Sequence, residues 1–141
     1  MITSKMKIEE KIVVSGKRKR SVARAVISNG TGKITINKMP YELLSNLRRL
    51  MIAEPLRIAE EKLGKINYDI EVETMGGGTE AGIEAARLAV ARALVQATKS
   101  KDLKKAFIAY DRNLLVADTR RKETYKPGDS KARAKRQKSY R

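Results

Sequence analysis

Residues 66–98, INYDIEVETMGGGTEAGIEAARLAVARALVQAT, change period in the middle, and that change decides the fold. Ile66, Tyr68, Ile70 and Val72 alternate with Asn67, Asp69, Glu71 and Glu73, which predicts a half-buried strand over Ile66–Thr74. Gly76-Gly77-Gly78 interrupts the alternation, and a long helix is expected from about Thr79 to Thr98. Ile83, Val90 and Leu94 mark its core stripe. Its alanines (Ala81, Ala85, Ala86, Ala89, Ala91, Ala93, Ala97) favour helix and allow close approach to a sheet.

Working towards the N-terminus, Gly64 suits the C-terminal stop of a preceding helix. Pro55 fits the first turn of that helix, with Leu56, Ile58, Ala59 and Leu63 on its buried side. A separate short helical segment is expected over Pro40–Met51, broken before Pro55. Asn29-Gly30-Thr31-Gly32 is a turn signal between Ser21–Ser28 and the alternating Lys33–Asn37, so these two runs are expected to pair as a hairpin. Ile12-Val13-Val14 leads into Lys17-Arg18-Lys19-Arg20, which falls on a β-bend or strand edge. Lys and Arg guard edges against unwanted pairing, but four in succession exceed that need and point to RNA. Towards the C-terminus, a helix is expected over Asp102–Ala109, then a short apolar run, Leu114-Leu115-Val116. Beyond Asp118 the composition shifts to charge, Pro127-Gly128 and small polar residues, and no helix or strand is expected. The expected organisation is a globular body over 1–117 and a basic tail over 118–141.

The 141 residues support one core. With 32 Lys and Arg against 16 Asp and Glu, the formal net charge is +16, so the folded chain repels itself and a polyanionic partner would stabilise it. Neither Cys nor His occurs, which removes disulfides, thiol and imidazole chemistry, and zinc sites built on those ligands. The N-terminus, MITSKMKIEEKIVV, mixes both charges without a signal peptide's apolar stretch, and no run is long enough to span a membrane. A cytoplasmic protein with no membrane role is expected.

Four features compete as sites. Ser130–Arg141 carries six cations and no acid, spaced by Ala, Gln and Ser, which suits threading between RNA helices with phosphate contacts rather than base readout. The alternative is a solubilising end. The glycine run lacks the Lys and Ser or Thr that a P-loop needs, since Ile83 and Glu84 follow Gly82. It also fails the dinucleotide pattern, so it is read as a tight turn that lets the helix pack, with an RNA phosphate on its backbone as the minor alternative. Asp69, Glu71 and Glu73 share one face but have no catalytic partner, so they are read as solvated. Tyr125 and Tyr140 have the context for stacking on bases, whereas Tyr110 is expected in the core or at its boundary. No cofactor, metal or small-molecule substrate is implied.

Several segments together resemble small-subunit ribosomal protein nine, the universal S-nine family, in its archaeal form. They are Gly16-Lys17-Arg18-Lys19-Arg20-Ser21-Val22-Ala23-Arg24, Gly30-Thr31-Gly32-Lys33-Ile34 and Glu54-Pro55-Leu56. Gly76-Gly77-Gly78 follows, ahead of a helix closing on Ala91-Arg92-Ala93-Leu94. Asp118-Thr119-Arg120-Arg121-Lys122-Glu123, Lys131-Ala132-Arg133 and the terminal Gln137-Lys138-Ser139-Tyr140-Arg141 complete the set. The resemblance implies an α+β fold: a four-stranded mixed sheet with two main helices on one face, similar to the second domain of small-subunit protein five, plus an extended tail. It implies a non-catalytic constituent of the small subunit, seated on the 3′ major (head) domain of its ribosomal RNA beside other head proteins. The implied ribosomal-RNA contacts are Lys17, Arg18, Lys19, Arg20, Arg24, Arg120, Arg121, Lys122, Lys131, Arg133, Lys135 and Arg136. The tail's end, Lys138, Tyr140 and Arg141, would reach the anticodon stem-loop of P-site transfer RNA. Bacterial members end in Ser-Lys-Arg, whereas this chain ends in Ser139-Tyr140-Arg141, as archaeal and eukaryotic members do. A general RNA-binding chaperone is the rival reading, and a nucleotide-using enzyme built on the glycine loop is the weaker one.

Overall fold

The computed structural model describes residues 11–129, 131–133 and 139–140. Five strands form one mixed sheet: β1 (Ile12–Arg18), β2 (Ser21–Asn29), β3 (Ile34–Ile36), β4 (Met39–Pro40) and β5 (Tyr68–Met75), in the order β1-β2-β5-β3-β4. Three helices accompany them: α1 (Asn46–Leu63), α2 (Thr79–Thr98) and α3 (Lys101–Tyr110). Only β3 and β5 run parallel; the crossover between them contains α1. The class is α+β as expected. The four strands and two helices implied by resemblance become five and three once two-residue β4 and short α3 are included.

The alternation read in residues 66–98 governs the core. Ile70 and Val72 of β5 are buried, as are Ala23, Ala25 and Ile27 of β2 and Ile34 and Ile36 of β3. Cross-strand register aligns Ile27 with Ile70, and Ile70 with Ile34, so apolar rows run across the sheet. α2 covers this face over β1, β2 and β5, and α1 packs beside it. The approach is close because both surfaces are small. A Cβ at Gly16 of β1 would overlap the Ala85 carbonyl and come within 2.8 Å of the Ala89 amide nitrogen. The glycine that opens the basic motif is thus required by helix packing.

Three expectations are corrected. Ser21–Ser28 and Lys33–Asn37 do not pair with each other, because β5 lies between β2 and β3. The Asn29–Gly32 loop instead crosses the start of β5: Gly30 N–H donates to the Asn67 carbonyl, and Asp69 Oδ1 accepts from the amides of Thr31, Gly32 and Lys33 at 2.8, 3.0 and 2.9 Å. The actual hairpins are β1–β2, turning at Lys19-Arg20, and β3–β4, turning at Asn37-Lys38. Lys19, Asn37 and Lys38 have φ of 53°, 50° and 67°, left-handed values adopted without glycine. Next, α1 does not break at Pro55; it runs through it. Ile52, Pro55, Leu56 and Ala59 form one buried stripe at helical spacing, and this packing outweighs the missing amide. Lastly, Tyr110 lies on the surface, 58% exposed, because α3 buries Leu103 and Phe107 instead.

The tail differs in detail from a continuously extended segment. Among the described residues beyond Val116 there is no helix or strand. The chain nevertheless reverses at Lys126–Asp129, where the Asp129 amide donates to the Lys126 carbonyl and Gly128 has φ 75°. Pro127-Gly128 at the centre suits a type II turn, and Arg133 then pairs with Glu123 at 3.1 Å.

Candidate nucleic-acid interface

Strand pairing carries Lys17-Arg18-Lys19-Arg20 to one corner of the sheet, because the tight β1–β2 turn projects its two central cations beyond the last paired residues, Arg18 and Ser21. At the same corner β5 ends, the glycine run turns, and α2 begins. The chain after α3 returns here too. Lys19 and Arg20, Gly77, Gly78 and Ala81, and Arg120, Arg121 and Lys122 line one open cleft of about 540 Å³. Five basic side chains therefore line the same cleft as glycine backbone and one methyl group.

The glycines are not equivalent. Gly76 and Gly77 have φ of 74° and 65°. A Cβ would lie 2.9 Å from the Arg20 carbonyl oxygen at Gly76, and 3.0 Å from Ser21 Cβ at Gly77. Their absence of side chain is accounted for by the turn and its packing, as the sequence suggested. Gly78 has an extended φ of −96°, and a Cβ there meets nothing within 4 Å. It precedes α2, whose first turn has no side-chain cap. Beneath the loop, Ser21 is fully buried and its hydroxyl has no partner among the described residues.

The tail root is fastened to this corner by Arg18. Its Nε donates to Glu84 Oε2 at 2.5 Å, and its Nη1 pairs with Asp118 Oδ2. Asp118 also takes the Arg120 amide at 2.8 Å and the Arg120 guanidinium at 2.7 Å. Arg92 adds a second fastening, donating to the carbonyls of Leu115 and Ser15, both at 2.9 Å. Arg18 is thus engaged with carboxylates of its own chain. No sequence signal marked Glu84 and Asp118 as its partners. Arg87 is engaged likewise, between Glu54 and Asp111.

Lys17 and Arg24 lie apart from the cleft, exposed on the open face of the sheet, where Arg24 sits opposite Ser15 and Glu73. Lys131 and Arg133 are exposed in the tail. Tyr125 is half-exposed, with the Lys122 ammonium 5.1 Å from its ring centroid, and Tyr140 is exposed. Lys135, Arg136, Lys138 and Arg141 lie outside the described residues. Of the carboxylate row, Glu71 and Glu73 are solvated as read, while Asp69 is a structural acceptor. Lys101, Lys104 and Lys105, all exposed on α3, form a basic patch not singled out from sequence. No group of His, Cys, Asp and Glu suited to a metal occurs among the described residues.

The model of the ribosomal protein S9/S16 family matches residues 16–141. Two archaeal proteins, each named small ribosomal subunit protein uS9, from Methanococcus vannielii and Methanococcus maripaludis, are 46% identical over 129 residues, covering 89% of this chain and 95% of each relative. The match opens at the glycine beneath α2 and takes in the hairpin tip, the glycine loop and the tail root that build the cleft, and the chain belongs to the ribosomal protein S9/S16 family.

Proposed function

We propose that this protein seats its body, residues 1–117, on the head domain of small-subunit ribosomal RNA and sends its tail, residues 118–141, towards the P-site transfer RNA. As a member of its family it is a cytoplasmic, non-catalytic constituent of the small ribosomal subunit. The observation that carries the RNA reading is the convergence of Lys19, Arg20, Arg120, Arg121 and Lys122 on one cleft from segments about a hundred residues apart. Such a cluster serves a polyanion, since each neutralised phosphate releases counterion and adds sequence-independent affinity. Lys17 and Arg24 extend the positive surface over the open sheet face, and Lys131, Arg133, Lys135 and Arg136 extend it along the tail. Lys138, Tyr140 and Arg141 are the proposed contacts to transfer RNA, a guanidinium beside phosphates improving its retention.

The test is binding of the full chain to a head-domain fragment of small-subunit RNA, across a salt series and against an unrelated RNA of equal length. Selective binding that survives moderate salt supports a defined seat. Equal binding to both RNAs, lost steeply as salt rises, would replace this reading with a general RNA chaperone.

A further inference from the structure

We infer that the cleft between hairpin tip and tail root is a discrete site for one stretch of sugar–phosphate backbone, gripped from both walls at once. This rests on the RNA reading above and adds where, and by which two segments, the backbone is held. The charge is one-sided: Lys19 and Arg20 form one wall and Arg120, Arg121 and Lys122 the other, with no carboxylate lining it among the described residues. Asp118 stands behind the wall, shared by Arg18 and Arg120, so that the Arg120 charge is offset within its own wall. Lys19 and Arg20 have no ion pair among the described residues, so their charge is available to a ligand.

The floor fits close approach. Gly78 lacks a side chain although neither its φ nor its surroundings forbid one, which leaves backbone open to a phosphate. The buried, unpartnered Ser21 hydroxyl lies beneath the same loop. Volume and charge together name the ligand class. A space of 540 Å³ greatly exceeds one phosphate and falls in the range that holds nucleotide-sized groups. The four cations without an ion pair among the described residues, Lys19, Arg20, Arg121 and Lys122, also exceed what a single phosphate group neutralises, whereas consecutive phosphodiesters each bring one negative charge. A polynucleotide segment satisfies both conditions better than a free mononucleotide. The tail root is fastened by Arg18 and Arg92 before binding, so the second wall is already in place and less ordering is required.

The experiment uses the full chain labelled with nitrogen-15, titrated with a short oligouridylate and, separately, with uridine monophosphate at equal phosphate concentration. Amides of Lys19, Arg20, Gly77, Gly78, Ala81 and Arg121 are expected to shift together in one saturable process with the oligomer. Arg20→Ala and Arg121→Ala should each weaken binding about tenfold, as loss of a charge-assisted phosphate contact does. Because both walls hold one segment, either substitution should weaken the shifts on both walls together, and the double variant should lose up to about a hundredfold. Weakening confined to the wall that carries the substitution would overturn the shared site, as would shifts scattered over exposed lysines such as Lys104 and Lys105, or equally tight binding of uridine monophosphate. Head-domain RNA binding is measured in parallel. If the double variant retains it in full, the cleft assignment falls and the RNA reading stands; if the unaltered protein binds no RNA, both fall.

Discussion

Asp69 shows how one side chain serves the fold where a row of acids suggested solvent. Its Oδ1 accepts three consecutive amides, and the Lys33 amide is the main cause holding its pKa below the ordinary carboxylate value, against an opposing effect of burial. Gly30 is tied to this role, because any Cβ there would overlap the Asp69 carboxylate. A folded pKa lower than the unfolded one means the carboxylate stabilises the fold above the unfolded value, near pH 3.9, and that this contribution fades as pH falls through the folded value. Asp69→Ala should therefore unfold more easily at neutral pH, by about 1–2 kcal/mol in denaturant titrations. The gap should narrow in acid; a constant gap down to about pH 2 would show that the charge contributes nothing. Gly16 and Gly78 make a second contrast at this scale. Gly16→Ala drives a methyl into α2 backbone and should destabilise by about 2–3 kcal/mol, with thermal unfolding as the readout. Gly78→Ala should cost no more than about 1 kcal/mol, the difference between glycine and alanine at an N-cap, and weaken RNA binding. A stability loss at Gly78 equal to that at Gly16 would assign Gly78 to packing.

Arg18 joins three elements, β1, α2 and the chain after α3, through Glu84 and Asp118. Arg18→Met should free the tail root, so that trypsin cuts at Arg120, Arg121 and Lys122 faster than in the unaltered protein. Stability should fall by about 1–2 kcal/mol, between the values for exposed and buried pairs. Lysine at position 18 should not restore protection, because one ammonium cannot span two carboxylates as the guanidinium does. Unchanged cleavage in Arg18→Met would mean that Arg92 alone holds the root. The elements themselves were legible wherever one period ran long. α2 spans Thr79–Thr98 as its pattern predicts, and Gly64, with φ 77°, ends α1. Failures came where local chemistry and tertiary pairing disagreed. Asn29-Gly30-Thr31-Gly32 has the composition of a hairpin turn, yet β2 gains eight paired positions from β5 and β3 offers only three residues. Pro55 reads as a helix start, yet the buried stripe from Ile52 to Ala59 passes through it. The basic residues of the cleft were each legible as charge. Their convergence was not, because nothing in the order of residues brings Lys19, Gly78 and Arg121 to one corner until the sheet closes.

Charge is shared unevenly over the whole molecule: ten of the 32 basic and three of the 16 acidic side chains lie at or beyond Asp118, which leaves the tail with seven of the sixteen net positive charges. Among the described residues none of the buried hydrophobic core lies there, since its last member is Leu114. Among the described residues the buried apolar surface therefore lies before Asp118, while a large part of the positive charge lies beyond it. Deleting Ser130–Arg141 removes six cations and no acid. Stability should change by less than about 0.5 kcal/mol, because none of the described residues removed is buried. RNA affinity should become less salt-dependent, the slope of log K against log salt falling by about four to five if all six meet phosphates. The cleft variants should change that slope by only about one each, since each removes one contact. The two regions thus leave different signatures: the tail a steep electrostatic component, the cleft a fixed register between hairpin tip and tail root. Small subunits carrying the truncated chain should retain the protein, because its cleft is intact, but bind P-site transfer RNA more weakly. Equal transfer-RNA retention by intact and truncated subunits would confine the tail to ribosomal RNA and leave the body's cleft as the whole of the functional contact.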